Sequence, residues 1–552
     1  MSDRSVDRSW IGRDAAFLAG LVLLAVVGYL PRLGFYSDDW VYLGVMSLVG
    51  PSVVHQWASL ALGMRPVQAF FLVALHHTFG TNPLPYHFVN NTALIVGVIC
   101  LYLVLVELGL PRVMSVAISL LYGLLPHYSA DRFWIAAMQA TVSMTLYFGS
   151  LYAELRAATS PRARWRWWTL ATSARVLCIL AYEVFLPLLF VNPFIAWINA
   201  RRQTEPPRER FLRPAGLIIQ LALAALTLIL AIVYKTSNTI RLGSPITWDQ
   251  HLRLGWEVYL GATSIAVGDL GVLLPRAAWR LWHSSPSISA LAVSLISGLL
   301  VYWYLARTAE EDSAKNPWRR GLGLVGVGVV TYWAGYAVPV VAKNAGYATT
   351  GIGTRVAIAA AAGIVLVWVG GTSLATSWIP SAIARRRSFA AITATLYAIC
   401  VFVNASLAAF WVEAYRSQVD VIAAIKREYP EFPGPGSLII DGVCPYVGPA
   451  VVFESAWDLK GALWVLYGQQ GLDAAIITPR MTVTDGGLVV SLYYGYHRTE
   501  YPYEQMTIFN VRRGLRVAVR DVTDVRRYLD QYNPDRTSGC ATGTEGEGVA
   551  VF

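Results

Sequence analysis

Apolar runs about twenty residues long, separated by short charged stretches, fill the first three quarters of the chain. A run of that length crosses the ~30 Å hydrocarbon core of a bilayer as a helix. The pattern predicts an α-helical polytopic membrane protein with about eleven transmembrane helices, near 15–31, 87–107, 113–126, 137–154, 167–181, 184–199, 214–234, 287–305, 321–341, 355–377 and 389–411. The pair 167–181 and 184–199 also reads as one broken hairpin turning at YEVFLP. WEVYLGATSIAVGDLGVLLP (256–275) is nearly long enough to span. We place the 250–285 region on the outer surface or as a re-entrant segment, because another crossing would carry Arg385–Arg387 outside.

From residue 412 the pattern changes. SLIID, AAIITP, GLVVSLYYG, QMTIFNV and LRVAVRD read as strands, and ESAWDLKGALWVLYG and DVTDVRRYLDQY as helices. Two domains are expected: residues 1–411 in the membrane, including a first outer loop at 32–86, and a small α/β domain over 412–552. YPEFPGPGS is a plausible linker turn.

Composition fits this picture: 55% of the 552 residues are hydrophobic and 14% charged, against ~25% charged in an ordinary soluble protein. The net charge of +10 would suggest nucleic acid in a soluble chain; here the membrane accounts for it, and no nucleic-acid partner is expected. Basic residues gather in 1–14, ELGLPR, RAATSPRARWR, RRQTEPPRER, ARTAEEDSAKNPWRR and ARRRS, segments that the positive-inside rule puts in the cytoplasm. The N-terminus is then cytoplasmic, the C-terminal domain extracytoplasmic, and the location the plasma or inner membrane. The first apolar run is not followed by a small-residue cleavage site and reads as a retained signal anchor. Cys100, Cys178 and Cys400 fall inside spans, where Cys acts as a small hydrophobe. Cys444 and Cys540 fall in the domain expected in an oxidising compartment, either as a disulfide or as two free thiols.

The first outer loop carries the candidate chemistry. It opens with GFYSDDWVYLG, in which Asp38 and Asp39 are adjacent acids among aromatics. Neighbouring side chains point in different directions. One carboxylate can therefore face a cavity as a general base while the other is held by protein donors. The same pair can supply oxygen ligands to a divalent metal, or cap the start of a surface helix. VQAFFLVALHHTF is too short to span and is expected to lie in the interface. Arg175 and Glu183 lie eight residues apart, on one face if the helix is continuous, as a structural pair or a cavity pair. No His, Cys or carboxylate spacing indicates zinc, and no Walker or dinucleotide glycine motif occurs.

YSDDW, the stretch from RPVQAFFLVALHHTFGTNPLPYHFVN, and LPHYSADRFW, in that order, resemble the GT-C superfamily of membrane glycosyltransferases. The protein O-mannosyltransferases and TMTC-type proteins look most similar. The resemblance covers about the first 200 residues; beyond that only the architecture matches. It departs from the O-mannosyltransferases in having Asp39 where they have Glu, and in lacking an evident β-trefoil domain or tetratricopeptide repeats. What it implies is inverting transfer of a sugar from a polyprenyl-phosphate donor to a hydroxyl on a glycan or protein acceptor, at the extracytoplasmic face. Asp38 would then be the base and Asp39 its support. Arg65, Arg355, His127, Arg132 and Lys343 would be candidates to meet the donor phosphate. Alternatives from other classes are a transporter or flippase of a lipid-linked saccharide, or a non-enzymatic membrane scaffold.

Overall fold

The computed structural model describes residues 10–60, 62–160, 163–203, 214–237, 247–284, 287–308, 317–341, 348–454, 456–491, 498–538 and 540. α1 (Trp10–Val26) leads into a loop carrying α2 (Asp38–Val49), α3 (Val53–Ser59) and α4 (Pro66–Phe79). α5 (Pro83–Glu107) and α6 (Arg112–Leu124) follow, then a second loop holding α7 (Ala130–Phe133) between short 3-10 turns. α8 (Met138–Thr159), α9 (Arg164–Ala181), α10 (Leu186–Leu189), α11 (Asn192–Gln203), α12 (Pro214–Ser237) and α13 (Trp248–Thr263) come next. α14 (Leu274–Ser284), α15 (Ile288–Arg307), α16 (Pro317–Val341), α17 (Ile358–Ser377) and α18 (Ala382–Glu428) complete the bundle.

Among the described residues seven helices are long and apolar enough to cross a membrane, or eight if the bent pair Trp248–Val272 and Leu274–His283 is one span. The expected count of about eleven is therefore not reproduced. Helices do form near the other four predicted positions. However, α6 has only 13 residues, and α12 contributes only the shorter apolar stretch Leu221–Tyr234. α8 turns Gln139, Ser143, Ser150 and Glu154 into the protein, and α9 buries Arg175. α8 is largely buried in the bundle and α9 buries one face, where their polar side chains find partners, so neither has a uniformly apolar surface. The predicted surface or re-entrant region around 256–275 is bent by 72°.

At the end of the bundle opposite the first loop, buried Asp14 ties four helices together. Arg112 meets it through Nε and Nη2, and the Tyr102 and Tyr304 hydroxyls donate to its oxygens.

α18 crosses the expected domain boundary at 411/412. It runs unbroken for 47 residues, from Ala382 to Glu428. At 1.5 Å per residue it is about 70 Å long, more than twice the bilayer core. The change of composition at 412 falls inside this helix, which ends only where YPEFPGPGS begins. Its outer third is a stalk. Gln418 on that stalk is fully buried, accepts from Trp40 Nε1 at 3.3 Å, and donates to the Val452 carbonyl at 2.7 Å.

The C-terminal domain is built on a four-stranded sheet, order β4-β1-β8-β9. It comprises β1 (Gly436–Asp441), β2 (Tyr446–Val447), β3 (Ala450–Val451), β4 (Leu472–Ile476), β5 (Met481–Val483), β6 (Gly487–Ser491), β7 (Arg498–Pro502), β8 (Met506–Asn510) and β9 (Leu515–Val519). β1 is parallel to both β4 and β8, and its central SLIID segment is buried on both faces, as a short apolar run predicts. α19 (Asp458–Tyr467) and α20 (Val522–Tyr532, capped by Asp521) match the two predicted helices. A hub at Asp441 closes the domain: its carboxylate accepts from Asn510, Tyr528, Asn533 and Ser538 side chains and from the Gly442 N–H. Beside it, a disulfide joins Cys444 to Cys540.

The sheet domain is not a separate bead. One continuous apolar core runs from α1 and the first loop through α18 into Leu438, Val452, Leu459 and Ala462. A second cluster lies among β5–β8 and α20. This packing sets the C-terminal domain directly on the first loop.

Candidate active site

The site forms where three segments distant in sequence meet: the start of α2, the second loop between α6 and α8, and the turn between β3 and α19. Asp38 and Asp39 begin α2, and Ser37 occupies the capping position. The two acids have different surroundings. Asp39 is 2% exposed and accepts from the backbone N–H groups of Tyr36 at 2.9 Å, Ala136 at 2.6 Å and Ile135 at 3.4 Å. Those last two N–H groups open the turn that feeds α8, where a helical start leaves donors without partners. Asp39 therefore fastens the first loop to the second. Burial holds its pKa well above the ordinary carboxylate value, against the pull of these donors.

Asp38 is only partly buried, and its Oδ1 accepts from Trp457 Nε1 of the C-terminal domain at 2.8 Å. Around it the backbone is fixed by neighbours: Trp134 Nε1 donates to the Tyr36 carbonyl at 2.9 Å, and the Tyr36 hydroxyl to the Trp411 carbonyl at 2.7 Å. Beside Asp38 sits a third acid that the sequence did not point to. Glu454 receives the Ser37 hydroxyl on Oε1 at 3.1 Å and the Tyr446 hydroxyl on Oε2. Burial raises its pKa; the Tyr446 and Ser37 hydrogen bonds lower it, the charge of Asp38 raises it further, and Arg355 draws it back, leaving it above the ordinary carboxylate value.

Of the candidate cations, Arg355 acts on Glu454, and Arg65 shares Tyr182 with it. Arg355, on the turn Ile352–Ala357, donates to the Ile352 carbonyl at 2.8 Å and lies over the Trp134 ring at 5.3 Å. Its charge acts on Glu454, on buried Asp131 and on Tyr182 alike, which places it among them. Arg65, just before α4, lies over the Tyr182 ring at 4.7 Å and pairs with Glu183 at 3.2 Å. Burial works against its charge, but Glu183 and Tyr182 outweigh it and keep the guanidinium's pKa above its ordinary value.

Three expectations change. Arg132 is 1% exposed and gives Nη1 to the Leu125 carbonyl and Nη2 to the Gly123 carbonyl, with Tyr128 beneath it. It satisfies the carbonyls left open at the end of α6 with both terminal nitrogens. His127 is buried against Trp368, and burial pushes its pKa down to about 3, so the ring is neutral and offers no cation. Arg175 and Glu183 do not pair. α9 ends at Ala181, so the shared helical face does not extend to Glu183; Arg175 pairs with Glu154 on α8 instead, and Glu183 with Arg65. Lys343 lies outside the described residues. His87 is buried, with Nε2 2.8 Å from the Gly34 carbonyl.

Sequence reasoning missed Glu454, Tyr446, Trp457 and Trp134. FESAW carries no motif, and its link to YSDDW spans 417 residues of chain. Among the described residues no group of three or more His, Cys, Asp or Glu side chains is arranged to hold a metal ion, and no step below is routed through one.

No family model matches the sequence. No curated protein matches it either. Among solved structures, the chain is similar to an oligosaccharyltransferase of Archaeoglobus fulgidus, crystallised with zinc and sulfate. Identity is 12%, the TM-score 0.37, and the match covers 82% of this chain and 61% of that one. The chain thus spans about three fifths of the length of that structure. A likeness this distant assigns no residue and no activity here.

Proposed function

We propose that this chain is a membrane glycosyltransferase of the GT-C type that moves a sugar from a polyprenyl-phosphate donor to a hydroxyl acceptor on the extracytoplasmic face, with inversion. One observation carries the reading: a partly exposed carboxylate, Asp38, lies at the end of the helical bundle, held in place by an indole N–H, beside a Glu454 on which Arg355 also acts, while Arg355 and Arg65 share Tyr182. An acid that removes a proton and cations that receive a departing phosphate are the two charges such a reaction needs.

In this reading the acceptor O–H bond breaks and its proton goes to Asp38. The acceptor oxygen forms the new bond to the anomeric carbon, and the bond from that carbon to the donor phosphate breaks. Its electron pair leaves with the polyprenyl phosphate, which Arg355 and Arg65 meet. Asp39 takes no proton; it holds the second loop against α2. The membrane location follows from the donor, which cannot leave the bilayer.

The test is mass spectrometry of glycans and glycoproteins from a deletion strain, complemented with the wild-type chain or with Asp38→Asn. One sugar linkage is expected to vanish on deletion, to return with the wild type and to stay absent with Asp38→Asn. Unchanged glycans on deletion would remove the reading.

A further inference from the structure

Two residues of one turn in the C-terminal domain grip two successive residues of the first loop. Glu454 accepts from the Ser37 hydroxyl at 3.1 Å, and Trp457 Nε1 donates to Asp38 at 2.8 Å. The turn itself is braced, because the Glu454 N–H donates to Asp458 Oδ2 at 2.7 Å. Ser37 needs such a grip. Its φ is +47° with ψ −118°, a conformation strained for any residue bearing a Cβ and worth of order 1–3 kcal/mol.

Packing does not explain Glu454. α2 and α19 already meet through Gly44 and Gly461. A half-buried acid beside a second acid disfavours the fold unless something else uses it. The charged and titratable groups facing Glu454 are Asp38 from α2, Tyr446 from β2, Arg355 from the turn Ile352–Ala357, and Asp458 from α19.

We propose that Glu454 is a positioning residue which the C-terminal domain supplies to the Asp38 base, gripping the strained Ser37–Asp38 turn so that the site is complete only while that domain is docked on the first loop. This rests on the glycosyl-transfer reading for its chemistry. Glu454 itself exchanges no proton with substrate; the acceptor's proton still goes to Asp38.

The test uses the full-length chain in its membranes and two independent readouts. First, Glu454→Gln, Glu454→Asp and Ser37→Ala are compared for transfer from radiolabelled polyprenyl-phosphate mannose. Glu454→Gln is expected to lower turnover at least tenfold with the donor KM unchanged. Glu454→Asp should restore part of the loss, and Ser37→Ala should lie between. Second, Glu454 is labelled with dicyclohexylcarbodiimide, which attacks protonated carboxyls, across pH 4–9 in the wild type and in Asp38→Asn, and read by peptide mass spectrometry. Removing the neighbouring negative charge favours ionised Glu454, so its labelling should fade at a lower pH in Asp38→Asn. Wild-type turnover in Glu454→Gln would overturn the proposal, as would identical labelling curves. A shifted curve in a chain whose deletion leaves every glycan unchanged would leave the proximity of Asp38 and Glu454 standing and remove the glycosyltransferase reading instead.

Discussion

Gly44 of α2 and Gly461 of α19 pack back to back: a Cβ on Gly44 would stand 2.7 Å from the Gly461 carbonyl oxygen, and one on Gly461 2.5 Å from the carbonyl of Trp40. Backbone meets backbone here, so no side chain can swing aside to make room. The contact brings the C-terminal domain close enough for Trp457 to reach Asp38.

Gly461→Val is therefore expected to lift α19 from α2, at a cost of about 1–3 kcal/mol as overpacking. Trypsin should then cut at Lys426 and Arg427, at the foot of the linker, faster than in the wild type. Sugar transfer should fall with it. Proteolysis of the intact membranes at the wild-type rate would show that the two helices tolerate the added side chain.

The adjacent acids should separate cleanly by mutation. Asp38→Asn keeps an oxygen for Trp457 Nε1 but removes the base, and transfer is expected to drop by ~10²–10⁴, with abundance and thermal stability unchanged. Asp39→Asn presents an amide donor to backbone N–H groups that already donate. That mismatch should cost about 1–3 kcal/mol, seen as a lower melting temperature and lower abundance. A stable Asp39→Asn with full activity would contradict its role as the fastener of the two loops.

This division was only half legible in the sequence. Periodicity and run length placed α1, α5, α15–α17 and the membrane part of α18, because burial in lipid acts on every residue of a run. The two adjacent acids stood out because charge beside apolar runs is costly. Glu454 did not, since its meaning comes from a contact that exists only after folding. The burial of Arg132 and His127 was not legible for a related reason: residue type gives the charge of a loop position, but not whether the chain folds it under the end of α6. The Arg175–Glu183 reading failed at a helix end, where the 3.6-residue period stops.

The Cys444–Cys540 bridge closes a sequence separation of 96 residues. Loop-closure entropy for a ring of that size is worth about 4–5 kcal/mol in the chain-entropy treatment. Reduction, or Cys444→Ser, is expected to lower the melting temperature of the C-terminal domain. Non-reducing peptide mass spectrometry should recover the two cysteines as one linked peptide; alkylation of both without reductant would refute the bridge.

Arg355 and Arg132 are two arginines to which the proposed function assigns opposite roles. Both lie close to Asp131, whose pKa each pulls down against burial. Arg132 spends its two terminal nitrogens on the carbonyls of Gly123 and Leu125. A lysine has a single ammonium and cannot span both, so Arg132→Lys is expected to lower abundance, while the KM of the surviving enzyme stays the same. Arg355 gives one nitrogen to the Ile352 carbonyl and acts on Glu454 across the site, where the donor phosphate would arrive. Arg355→Gln is expected to raise the donor KM at least tenfold at normal abundance, and Arg355→Lys to restore part of it, as a point charge in place of a bidentate fork. Kinetics with purified protein and polyprenyl-phosphate mannose separate the two outcomes, and an unchanged donor KM in Arg355→Gln would exclude that arginine from the phosphate site.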